Sequence, residues 1–115
     1  MAKLEHIVKL LGHPLPDSYK LFLAETHESF IAANDRTLVY GCDAIAERNE
    51  TYESRVYCPG HVMIGDDSGG AAIILSLNDG KVHIVGMGSM TPDNFTPVAP
   101  SFAVWADVGF ALAGD

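Results

Sequence analysis

Residues 61–87 read HVMIGDDSGGAAIILSLNDGKVHIVGM, and this run decides the fold. Its apolar residues come in short blocks broken by turn formers, the pattern of strands joined by hairpins. His61 to Gly65 is one predicted strand and Ala71 to Leu77 the next. Between them Asp66-Asp67-Ser68-Gly69-Gly70 makes a tight connection in which glycine supplies positive φ. Asn78-Asp79-Gly80 is a second hairpin turn, because Asn and Gly both tolerate positive φ. Lys81 to Met87 then returns as a third strand, with Val82, Ile84 and Gly86 toward one side.

Working back from this run, Ser29 to Ala33 and Thr37 to Tyr40 flank the turn formers Asn34-Asp35-Arg36, which predicts another hairpin ending at Gly41. Asp43 is placed to cap a short helix over Ala44 to Glu50, with Ile45 as its apolar anchor. Farther upstream, Leu15, Tyr19, Phe22 and Leu23 form the apolar face of a helix that starts at Pro16 and runs to about Thr26. Asp17 suits the positive end of its dipole. Leu4, Ile7, Val8 and Leu11 recur at helical spacing before it, stopped by Gly12 and Pro14.

Downstream, Gly88 to Pro100 carries three prolines and reads as an ordered loop. A closing helix is predicted over Ser101 to Leu112, with Phe102, Trp105, Gly109 and Leu112 on one face and Gly109 allowing close packing on the sheet. Helices first, then antiparallel strands, then a helix predict an α+β fold. The expectation is one domain over residues 1–115, a mainly antiparallel twisted sheet with two N-terminal helices and a C-terminal helix packed on it.

With 48% hydrophobic residues in 115, the chain has enough apolar material for a packed core without disulfides or a structural metal. Cys42 and Cys58 are expected to be reduced and semi-buried. Neither a basic leader followed by an apolar run nor a stretch of about 20 apolar residues occurs, so a cytoplasmic protein is expected. The net charge of −8, from 15 acidic against 7 basic side chains, repels nucleic acid and anionic membrane and attracts basic protein surfaces.

The residue types that support catalysis or metal binding do not fall into working patterns. Cys42 and Cys58 are far apart, and His6, His13, His27, His61 and His83 are scattered, without zinc-ligand spacing. The Asp66–Gly70 turn lacks the alternating carboxylates and terminal Glu of a calcium loop and the lysine of a Walker loop. Ser68 has no nucleophile elbow, and Cys58 precedes Pro59 without a helix start to activate it. A binding module without catalytic residues, metal or cofactor is the expectation. Its acids are suggestively placed: Asp43, Glu47 and Glu50 fall at i, i+4 and i+7, with Glu53 just beyond and Asp66 and Asp67 on a turn. Such a stripe is either a solvated face or a docking surface for a basic protein.

Four strings resemble the SUKH superfamily, the Smi/Knr-type immunity proteins. They are Leu15-Pro16-Asp17-Ser18-Tyr19-Lys20-Leu21-Phe22-Leu23; Leu38-Val39-Tyr40-Gly41 followed by Ile45, Glu47 and Asn49; Met63 to Gly70 with Ile73 to Leu77; and Ser101-Phe102 with Trp105. Their order spans roughly Leu15 to Phe110. His27 and Glu28 depart from the pattern, since the family usually has a glycine there. The resemblance implies an antiparallel sheet with helices against it and no catalytic residues. It also implies a cytoplasmic partner role: binding a cognate protein toxin, often a nuclease or deaminase, and blocking its active surface. On that reading Asp43, Glu47, Glu50, Glu53, Asp66 and Asp67 are the candidate toxin-binding acids. Tyr52 and Tyr57 are candidate anchors, or else cover the core. Fungal relatives regulate cell-wall synthesis, which keeps a regulatory scaffold open; a small-ligand or metal-binding domain using the Asp66–Gly70 turn is the third reading. No contact with nucleic acid or membrane is expected, and a homodimer is left open.

Overall fold

The computed structural model describes residues 7–9, 12, 14–52 and 54–112. Along the chain run helix α1 (Asp17–Glu25), strands β1 (Phe30–Ile31) and β2 (Leu38–Val39), and helices α2 (Ile45–Thr51) and α3 (Ser54–Tyr57). Strands β3 (His61–Asp66), β4 (Ala71–Ser76) and β5 (Val82–Gly86) follow, then a 3₁₀ turn (Pro92–Asn94), strand β6 (Thr96–Ala99) and helix α4 (Phe102–Asp107). Among the described residues the six strands form one sheet in the order β1 to β6, every neighbour antiparallel. The α+β expectation holds. Of the predicted first helix, residues 7–9 are helical and Gly12 follows at φ +70°; Leu4 and Leu11 lie outside the described residues.

β3 and β4 are buried along almost their whole length, so both faces of the central pair are covered. Val62 pairs with Leu75, Leu75 with Val82 and Ile73 with Ile84, which puts these side chains on one face. α1 and α4 cover it. Tyr19, Leu23, Phe102 and Trp105 are buried there, and Phe102 sets its ring edge against Tyr19 at 4.9 Å and Phe22 at 5.0 Å. On the opposite face His61 pairs with Ser76, and Met63 and His83 both pair with Ile74. The segment from Met87 to Phe95 folds over that side, burying Met90 and laying Phe95 against both His83 (5.4 Å) and His61 (5.1 Å).

Three sequence expectations are corrected. The predicted loop contains β6. Pro97 cannot donate to a ladder, yet among the described residues β6 is an outer strand paired to β5 alone, where a proline is tolerated. The closing helix stops at Asp107 instead of Leu112, because Gly109 takes φ +71° and the Gly109 and Phe110 N–H groups bond back to the carbonyls of Ala106 and Trp105. This is the paired reversal that ends helices at a left-handed residue, with Phe110 packing on Trp105 at 4.9 Å. Gly109 therefore ends the helix; a Cβ placed on it would meet nothing. Finally, Asp43 does not cap α2. The chain reverses at Gly41–Ala44, and the Asp43 carboxylate accepts the hydroxyl (2.8 Å) and N–H (3.2 Å) of Ser29 instead.

Gly41 is required where the departure from the family pattern falls. Cys42 and Asp43 donate their N–H groups to the carbonyls of Thr26 and His27, so two backbones run in contact. A Cβ on Gly41 would lie 2.7 Å from the His27 oxygen. Cys42 and Cys58 are both buried. The Cys42 thiol donates to the Leu23 carbonyl at 2.9 Å, and burial pushes the Cys58 thiol up to about 11.

β2 pairs with β3 only at Gly65 and Asp66, so the rest of that β3 edge needs other partners. Tyr40 donates its N–H to the Ile64 carbonyl at 3.0 Å. Asn49, buried on α2, serves Met63: its amide oxygen accepts the Met63 N–H at 2.8 Å, and its amide nitrogen donates to the Met63 carbonyl at 3.0 Å. The side-chain amide thus copies the peptide group that a longer β2 would have supplied. Asn49→Ala removes a donor and an acceptor from two buried backbone groups and is expected to cost about 2–5 kcal/mol. Glu50→Ala, exposed one residue on, is expected to change stability by less than about 0.5 kcal/mol. Urea denaturation of both variants checks the contrast.

Candidate functional site: the α2–α3 face

Asn49 fixes α2 against the sheet, and the residues after it inherit that placement. Tyr52 closes α2, its N–H bonded to the Arg48 carbonyl at 3.1 Å. α3 follows and ends at Tyr57; after buried Cys58, Pro59 and Gly60 (φ +79°) turn the chain into β3. Between these helices and the turn after β5 lies a cleft of about 330 Å³. Thr51, Tyr52 and Tyr57 line it together with Met87, Gly88 and Met90. The second set is held by the Met87 N–H bonded to the Gly70 carbonyl and the Ser89 N–H bonded to the Gly86 carbonyl, both at 2.9 Å.

The structure brings Tyr52 and Tyr57 to one cleft, where the chain alone left them as anchors or core cover. Tyr52 is half-buried, and Tyr57 keeps 53% of its surface exposed beside Val56 at 69%. Glu47 and Glu50 are exposed on α2. Glu47 makes a loose 3.8 Å contact with Arg48, a surface pair worth little; Arg48 also lies over the Tyr40 ring at 5.9 Å. Asp43 is exposed but engaged with Ser29. Glu53 lies outside the described residues.

Asp66 and Asp67 are turned onto the fold. Asp66 is only 8% exposed; it accepts the Tyr40 hydroxyl at 2.6 Å and the Ser68 N–H at 2.8 Å. Burial, and then this hydrogen bond, hold the Tyr40 phenol far above its usual range. Asp67 accepts the N–H groups of Gly69 (2.8 Å) and Ala71 (3.0 Å). The turn takes positive φ at Gly70, as expected, and at Ser68, whose hydroxyl donates to the Arg36 carbonyl at 2.9 Å. Both carboxylates therefore close the β3–β4 connection. Among the described residues no three His, Cys, Asp or Glu side chains gather into a metal-binding group.

Met87, Gly88 and Met90 were missed in the sequence, where they read as a strand end and a loop. Two methionines close together in a mostly polar segment are the signal that could have found them, since flexible thioethers suit adaptable contact surfaces.

The SMI1 / KNR4 family (SUKH-1) model matches residues 2–107. The chain belongs to this family. No curated protein is significantly similar to it. Among the described residues, no helix of this SUKH-1 protein is long and apolar enough to cross a membrane.

Downstream of residues 87–90, Phe95 packs against the rings of His61 and His83. His83 has a buried Nδ1 without a hydrogen-bond partner among the described residues. Its pKa lies below the ordinary histidine value, chiefly through burial, with His61 and Lys81 lowering it further and Asp79 opposing. The folded protein therefore binds fewer protons at His83 than the unfolded chain. Its contribution to stability is whole above the ordinary imidazole value and is lost as pH falls from there through the folded pKa. Thermal unfolding between about pH 7.5 and about pH 5 is expected to show a steeper acid loss in the wild type than in His83→Gln.

Proposed function

We propose that this SUKH-1 protein is an immunity protein of the cytoplasm: it binds a bacterial protein toxin and neutralises it by covering the toxin's active surface, with no bond chemistry of its own. The observation that carries this reading is the α2–α3 face, where Val56 and Tyr57 are exposed, Tyr57 lines the cleft, and Glu47 and Glu50 are exposed on α2. An apolar centre with a charged surround is how protein interfaces are built. A standard interface of about 800 Å² per partner is a modest part of the 5901 Å² surface.

The partner is proposed to be basic, as a nuclease or another nucleic-acid-acting toxin would be. Carboxylates of Asp43, Glu47, Glu50 and Glu53 would then stand where the substrate's phosphates stand. Asp66 and Asp67 add to the same negative field while serving their turn. Charge of this kind steers encounter, and buried aromatic anchors slow dissociation. A role without catalysis is supported by the way several polar side chains are engaged: Asn49, Asp66 and Asp67 all hydrogen-bond backbone groups of the fold.

Co-expression with the C-terminal domain encoded by the neighbouring gene tests the reading. Survival of the host and co-purification of the two proteins are expected; unchanged killing contradicts it. The charge component has its own test. The double variant Glu47→Lys, Glu50→Lys is expected to slow association about tenfold at low salt, with the difference shrinking as salt rises. Stopped-flow association rates decide it.

A further inference from the structure

We propose that the cleft between α3 and the turn at residues 87–90 is a cation site that receives one arginine side chain of the bound protein. The inference rests on the reading that the chain binds another protein, and it names the chemistry of one contact. Among the described residues that line the cleft, two are tyrosines and two are methionines, and none carries a charge. Tyrosine faces carry negative potential and attract guanidinium more than ammonium groups. Methionine sulfur is polarisable and its chain adapts to a planar guest.

Three lining residues, Thr51, Tyr52 and Tyr57, bear hydroxyls that can accept hydrogen bonds. Guanidinium has only donors, five in one plane, so it matches a site that offers tyrosine rings and oxygen acceptors. Gly88 adds no side chain to its wall. With Tyr57 53% exposed, the site opens to solvent. Glu50, two residues before Tyr52, and Glu47 on the same helix are both exposed. Their negative charge on α2 favours a cation over an anion as the guest. The cleft volume of about 330 Å³ accommodates a single long side chain.

The test uses the full-length chain, methyl-labelled at methionine, titrated with acetyl-Gly-Arg-Gly-amide and with the same peptide carrying citrulline, which keeps the shape and removes the charge. Saturable shifts of the Met87 and Met90 methyl signals are expected with the arginine peptide, at least about three- to tenfold weaker with citrulline. Tyr57→Ala is expected to weaken arginine binding by a similar factor, and Tyr57→Phe, which retains the ring, to keep most of it. Equal response to the two peptides, shifts elsewhere, or no shift at the solubility limit overturns the site. The two readings fail separately. A chain that protects its host but does not discriminate the peptides keeps its function and loses this site; one that discriminates but does not protect loses the immunity role.

Discussion

The amide of Asn49 bonded to both backbone groups of Met63 is the constraint from which the candidate face follows. β2 is two residues long and reaches only the far end of β3. It stops because the backbone of His27 and Glu28 crosses Gly41 too closely for any side chain, and the chain turns off the sheet there. An open strand edge inside a protein leaves donors and acceptors without water. A helix carrying one buried amide resolves this, and in doing so fixes the height and rotation of α2. Tyr52, at the end of that helix, follows.

The facing wall is set independently. Residues 87–95 are held to the other end of the same sheet by the Met87–Gly70 hydrogen bond, by buried Met90 and by Phe95 between two histidine rings. Both walls of the cleft are thus referred to the strands beneath them. If this face binds a partner as proposed, a surface fixed in this way loses little conformational freedom on binding, which favours affinity without demanding a large contact area. The acids divide accordingly. Those on α2 remain exposed, whereas Asp66 and Asp67 are used to hold the β3–β4 turn closed.

The central hairpins were legible in the chain because strands buried on both faces must be almost wholly apolar, and Ala71 to Leu77 shows it. Tyr52 and Tyr57 could be singled out, being only five positions apart, but not the methionines opposite them, which are brought over by the return of the chain after β5. β6 escaped notice because Pro97 reads as a loop former and nothing local says that it lies on an outer strand. The end of α4 was misread for a similar reason. Gly109 suits both a packed helix face and a helix terminator, and only the contact of Phe110 with Trp105 and with the β1–β2 turn, where Thr37 donates to its carbonyl at 2.9 Å, selects the second. Asp66 looked like a surface acid because its partner, the phenol of Tyr40, is 26 residues away. Long-range pairing of this kind leaves no periodicity to read.

The central claim is that the chain meets its protein partner with the surface built from α2, α3 and the turn after β5. Amide hydrogen exchange of the chain, alone and saturated with the cognate toxin domain, tests it most directly. Slowed exchange over residues 45–52, 54–57 and 87–90 is predicted. Slowing confined to α4 and β6, with these segments unchanged, would contradict the account.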